Sequence, residues 1–226
     1  MKKEQLYRED YFINPIYWME KPEWIKKLNK ASDPYIKKAK KLNDENVKNR
    51  TKKFGGNKKD HGMVHHSTSL IGDPKFKDLQ DWILATAWNL LDEQGFDLKG
   101  HQLFLTELWV QEFSHLGGGH HTLHTHWNGH MSGFYFLKAS EKTSYPVFED
   151  PRPGRQMNLL PEKDKTKISI ATSQIHYKVK PGRLIFFNSY MPHLYSVDSG
   201  YEPFRFIHWN IQAIPTAVLQ HANNKK

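Results

Sequence analysis

The sequence predicts a mainly β fold with flanking helices: a sandwich or barrel of about eight short strands, backed by helices from the N-terminal part. After Gly100 the texture changes to short segments rich in aromatic and β-branched residues. Turn signals such as GGG, PRPG, KPG and DSG separate several of them. Helical patterns come first and strand patterns afterwards, which places helices on one face of an all-β core.

The elements follow in order. YFINPIYW (11–18) is a short strand or extended lead-in. A helix is expected from Pro22 to about Asn29. A second starts at Asp33-Pro34, with Asp as N-cap and Pro in the first turn, and runs to about Arg50. TKKFGGNKKDHG (51–62) is a polar loop. The strongest helix is 74–94: Asp73 caps it, Pro74 opens it and Gly95 stops it. Its Phe76, Leu79, Trp82, Ile83, Ala87, Leu90 and Leu91 form one apolar face, which must lie on something broad. Strands are expected at 102–113, 131–138, 168–179, 183–188, 193–197 and 203–213. The chain divides into a helical extension (1–98), a β core (99–215) and a tail (216–226), one compact domain overall.

Composition narrows the chemistry. There is no Cys, so any metal must sit on His, Asp or Glu. No apolar run follows the basic N-terminus and none reaches membrane-spanning length, so a cytoplasmic protein without a membrane partner is expected. The net charge of +9 is uneven: residues 1–60 hold 17 Lys/Arg and 9 Asp/Glu. That surplus is a solvated helical face or, alternatively, a surface for an acidic partner such as nucleic acid.

The densest chemistry is HHTLHTHWNGH, which places His120, His121, His124, His126 and His130 within eleven residues. His124 and His126 are two apart, so on an extended strand both imidazoles reach one point. His193, which opens a strand after a Pro-containing turn, can supply a third ligand from across the barrel. Three ligands on one face leave positions open for substrate and dioxygen, as in non-haem iron oxygenases. Asp150, with Glu149 beside it, is the alternative carboxylate ligand. Arg205, twelve residues beyond His193, suits a dicarboxylate held by two parallel hydrogen bonds. Tyr135 is either core or a hydroxyl donor to the same co-substrate. His120, His121 and His130 read as ordinary polar residues near the Gly117–Gly119 loop. Trp109, Trp127 and Trp209 read as rim or core aromatics, and Arg152 and Arg155 as substrate contacts.

HTHWNGHMSGFYFL, VFEDPR, VKPGRLIFFNSYMPHLYSV and RFIHWN, in this order, resemble a family of 2-oxoglutarate/Fe(II)-dependent oxygenases found in bacteria and phages and distantly related to prolyl hydroxylases. The resemblance covers about residues 100–213. It implies a double-stranded β-helix (jelly-roll) core, Fe(II) at its open end, 2-oxoglutarate and O2 as co-substrates, and succinate and carbon dioxide as coproducts. It also implies hydroxylation of a C–H bond, in a protein ahead of a small molecule. The wider superfamily reads His-x-Asp or His-x-Glu where this chain has His124-Thr125-His126. Two alternatives are a three-histidine cupin-like dioxygenase without 2-oxoglutarate and a non-catalytic metal- or sugar-binding jelly roll.

Overall fold

The computed structural model describes residues 12–56, 59, 63–154 and 160–223. Arg155, residues 1–11 and part of the 51–62 loop lie outside these. Among the described residues, ten strands form two antiparallel sheets. In chain order they are β1 (Ile16–Glu20), β2 (Val64–His66), β3 (His101–Phe113), β4 (His121–His124), β5 (Met131–Lys138), β6 (Pro146–Glu149), β7 (Gln174–His176), β8 (Arg183–Asn188), β9 (His193–Tyr195) and β10 (Arg205–Pro215). The larger sheet runs β1-β8-β5-β10-β3-β2 and the smaller β4-β9-β6-β7. The helices are α1 (Ile25–Phe54), α2 (Lys77–Glu93) and α3 (Thr216–Asn223).

The larger sheet is buried on both faces, and its two-residue alternation separates two cores. One set comprises Leu108, Val110, Tyr135, Leu184, Phe186, Ile207, Trp209 and Ile211, and it packs under Leu28, Ile36, Leu79, Ile83 and Leu91 of α1 and α2. The other comprises Phe113, Phe134, Phe136, Ile185, Phe187, Phe204 and Phe206, and it meets Phe148 and Tyr195 of the smaller sheet. This second layer is the lumen of the jelly roll. Gly133 is required where β5 passes under an indole: a Cβ there would stand 2.3 Å from the Ile185 carbonyl oxygen and 2.4 Å from the Trp209 ring.

Several local expectations change. The two helices expected at 22–29 and 34–50 are one, with Pro34 inside α1. Pro34 removes one backbone donor, but Leu28, Ile36, Ala39 and Val47 carry a single buried stripe across it. Asp33 does not cap a helix; it accepts from Arg205. The second start signal works as expected, since the Asp73 side chain accepts from the Lys75 N–H at 2.8 Å, opening a 3-10 turn into α2. The expected 168–179 strand shrinks to β7, and part of the tail forms α3.

Candidate metal centre

β4 and β9 pair with His124 directly opposite His193. His126 follows β4 by two residues, and its N–H donates to the Ser189 carbonyl. Ring centroids are 4.4 Å apart for His124–His193, 5.1 Å for His124–His126 and 5.1 Å for His126–His193. One nitrogen from each lies within 4.8 Å of the others. The three histidines chosen from the sequence therefore converge.

Their free nitrogens fit a divalent ion. His193 Nδ1 lies 3.0 Å from the Met191 carbonyl and His124 Nδ1 lies 2.7 Å from the Thr122 carbonyl. A carbonyl only accepts, so both rings carry their proton on Nδ1 and present an unprotonated Nε2. Nε2 of His193 and of His126 is buried without a hydrogen-bond partner. For His193 this is a buried acceptor, costly unless a ligand completes it; at His126 the Asn210 amide donates to Nδ1, so the neutral ring carries its proton on Nε2, and coordination there requires that proton to move to Nδ1. Burial, reinforced by the neighbouring imidazoles, pushes His193 down to about 2 and His126 to about 3, so both are neutral at pH 7 and His193 presents a free Nε2 lone pair.

Among the described residues, no carboxylate joins this trio. Asp150 binds the Arg152 guanidinium, and Glu149 accepts from Gln174 at 2.8 Å. Both belong to the end of β6, but their side chains are engaged there. The carboxylate that does approach was not anticipated. Glu107 of β3, with His126 and His208, forms a second group whose ligand atoms lie within 4.8 Å of one another. Asn210 ties them together, its Nδ2 lying 2.8 Å from Glu107 and 2.9 Å from His126 Nδ1. Ser132 donates to the Asn210 Oδ1 at 2.6 Å. The nearby His208 imidazole is the main cause that holds Glu107 down to about 2, so it is ionised.

The expected co-substrate residues point elsewhere. Arg205 is buried, yet its Nε donates to Glu112 at 2.7 Å and its NH1 to Asp33 at 2.6 Å and Ser32 at 3.3 Å. Lys40 and Lys138 close on the same Glu112. Burial opposes the charge on Glu112, but these cations outweigh it and bring it down to about 2. Arg205 does share its face with Ile207, Trp209 and Ile211, as the alternation implies, but that face meets the helices. The Tyr135 hydroxyl donates to the Lys21 carbonyl at 2.7 Å on that same side. Neither reaches the lumen.

The polar groups beside the trio are different ones. Gln111 Nε2 lies 2.6 Å from His121 Nε2, while Gln111 Oε1 and the Tyr195 hydroxyl are buried without partners. His121, expected to be ordinary, thus faces the lumen; His120 bonds locally to the Gly118 carbonyl, and His130 Nδ1 accepts from the Ala213 N–H at the end of β10. Trp209 is core, Trp109 packs against His208, and Trp127 is 85 % exposed beside His126. A cavity of about 440 Å3 opens where Phe148 and Met191 adjoin His193, lined further by Ile13, Ile168, Ile170 and Arg152.

An antiparallel jelly roll with three converging histidines at one end is an arrangement that could hold a divalent metal ion. The family model described as "Putative 2OG-Fe(II) oxygenase" matches residues 107–202, the region that carries the histidine motif. AviO1 from Streptomyces viridochromogenes is 13 % identical, with 88 % of this chain and 90 % of that one aligned at a TM-score of 0.52, which shows the shared fold. A Pseudomonas putida prolyl-4-hydroxylase aligns at 11 % identity over 88 % and 93 % of the two chains, with a TM-score of 0.47. An oxidoreductase of the 2OG-Fe(II) oxygenase family from Burkholderia pseudomallei aligns at 9 % identity, with a TM-score of 0.44; the match covers 63 % of this chain and 58 % of that one. No curated protein matches the chain. Among the described residues, no helix is long and apolar enough to cross a membrane.

Proposed function

We propose that the chain is a cytoplasmic Fe(II)- and 2-oxoglutarate-dependent oxygenase that hydroxylates a C–H bond, with a protein side chain, prolyl in the first instance, as substrate. The observation that carries the metal assignment is the convergence of His124, His126 and His193, with two buried Nε2 atoms that nothing else satisfies. Bound iron, with 2-oxoglutarate and dioxygen, supplies the oxidising chemistry. The chain's own residues do the rest. Met191 and Thr122 carbonyls fix the tautomers of His193 and His124. The Phe134, Phe148 and Phe187 rings, all within 6 Å of the His193 ring between centroids, exclude water from its inner side. Gln111 and Tyr195 offer polar atoms to the co-substrate. The cavity against Met191 receives the substrate chain: its isoleucines suit an aliphatic segment, and Asn14, Arg152 and Ser169 offer polar groups to its backbone.

A second reading has one specific observation behind it. Arg205 is committed to Glu112 and Asp33, so it does not serve the lumen as the dicarboxylate anchor expected of it. This favours a three-histidine dioxygenase that needs no 2-oxoglutarate. Succinate formation from 2-oxoglutarate, with Fe(II) and ascorbate, separates the two. The first reading expects turnover that His193→Ala abolishes together with Fe(II) binding. Fe(II) bound with no succinate formed under any substrate would favour the second.

A further inference from the structure

We propose that Glu107, His126 and His208 form a second divalent-cation site, which competes with the three-histidine centre for His126. β3 and β10 bring these residues to the lumen face, with Trp109 opposite His208 and Glu107 opposite Asn210 in the ladder. Two imidazoles and a carboxylate are a donor set that first-row divalent ions take up readily. Their ligand atoms already lie within 4.8 Å of one another. Donors about 2.1 Å from one ion stand roughly 3–3.5 Å apart, so small side-chain rotations complete the site.

His208 independently points to a ligand. It is wholly buried, and neither of its ring nitrogens has a hydrogen-bond partner. Its Nε2 stands 3.6 Å from Glu107 Oε2, outside hydrogen-bond distance. A neutral imidazole normally has one donor and one acceptor nitrogen to satisfy, and a buried one with neither satisfied is rare. An ion between His208 and Glu107 completes one of them. Glu107 is half exposed, which gives the ion a way in from solvent.

His126 serves the two sites with opposite edges. Its Nδ1 faces Asn210 and Glu107, and its Nε2 is the atom left free. The two N–H donations of Asn210, to Glu107 and to His126 Nδ1, occupy the approach to the second set. An ion replaces these donations, while Ser132 keeps hold of Asn210 through Oδ1. A neutral imidazole has one free lone pair, so His126 coordinates one ion at a time. An ion in the second site therefore withdraws the third imidazole from the first. That competitive consequence rests on the iron-centre reading; the existence of the second site does not.

The test reads metal binding alone, so its failure is distinct from a failure of the oxygenase reading. Co(II) is titrated into metal-stripped full-length protein by calorimetry and visible absorption. His124→Ala breaks the three-histidine set from its half-buried edge-strand position, and His124→Gln replaces it if the alanine variant does not fold. This variant should still bind one Co(II) per chain. Adding Glu107→Gln, which keeps an acceptor for Asn210, should weaken that binding at least tenfold while the circular dichroism stays unchanged. No Co(II) bound by the His124 variant overturns the proposal. So does equal affinity with and without Glu107→Gln, which would assign the ion to His126 and His193.

Discussion

Arg205→Ala distinguishes a structural from a co-substrate role for this side chain. In the structure the guanidinium is 4 % exposed and ties β10 to β3 through Glu112 and to α1 through Asp33. Truncation leaves Glu112, itself 7 % exposed, facing only Lys40 and Lys138. Breaking a buried pair by removing one partner costs about 3–5 kcal/mol. The two remaining lysines are about 40 % exposed and compensate in part, so a loss of ~2–3 kcal/mol is expected. The loss carries a pH signature. Glu112 is held at about 2 against an ordinary value near 4.5, so its contribution is complete above about 4.5 and disappears as pH falls towards 2. Without Arg205 the Glu112 value rises, and acid unfolding of the variant begins at higher pH. Urea unfolding of metal-free protein at pH 7, together with an acid titration, measures both effects. Glu112→Gln added to Arg205→Ala should recover part of the loss, because a neutral amide is cheaper to leave among two lysines than to leave a carboxylate underpaired. A variant with wild-type stability and a tenfold higher 2-oxoglutarate requirement would refute this reasoning and return Arg205 to the co-substrate.

Three further outcomes are expected. Asn210→Ala removes the amide that donates to Glu107 and to His126 Nδ1, which frees both acceptors and lets the His126 proton leave Nε2, and should tighten Co(II) binding; weakened affinity by calorimetry would show that Asn210 positions His126 for the metal instead. Metal-free protein should lose stability as pH falls below about 6.5, because His193, His126 and His121 are held at about 2, 3 and 4 in the fold and the unfolded chain takes up their protons first. For the fully buried His193 the slope approaches ~1.4 kcal/mol per pH unit, bound metal should suppress the loss until it dissociates, and equal urea midpoints at pH 7.5 and 5.5 would contradict it. Gly133→Ala drives a methyl against the Ile185 carbonyl and the Trp209 indole, and should cost at least ~1–3 kcal/mol as overpacking, read as a lowered melting temperature.

What the sequence could and could not reveal has a physical basis in two layers. HTH declares itself because two imidazoles at i and i+2 share a direction whatever lies around them, and His193 declares itself by opening a strand after a turn. Aromatic density marked β3, β5, β8 and β10, since each carries large apolar residues on successive positions. Yet the same density hides which face is which. A two-residue period groups Arg205 with Ile207, Trp209 and Ile211, and the structure keeps that grouping. It cannot say whether the group meets helices or lumen when the strand is covered on both sides. The choice depends on α1, which brings Ser32, Asp33 and Lys40 to the Arg205–Glu112 pair from more than 160 positions before Arg205. The complementary set on β10 then follows: Phe206, His208 and Asn210 face the metal end. One signal for it was present in RFIHWN. A histidine and an asparagine alternate there with the apolar Ile207 and Trp209 in a strand with no exposed face, and buried polar residues at that spacing need partners of their own. Glu107, which lies opposite Asn210 across the β3–β10 ladder, is that partner. The local strand pattern thus identified the faces, and only the long-range packing of α1 assigned one of them to the histidine cluster.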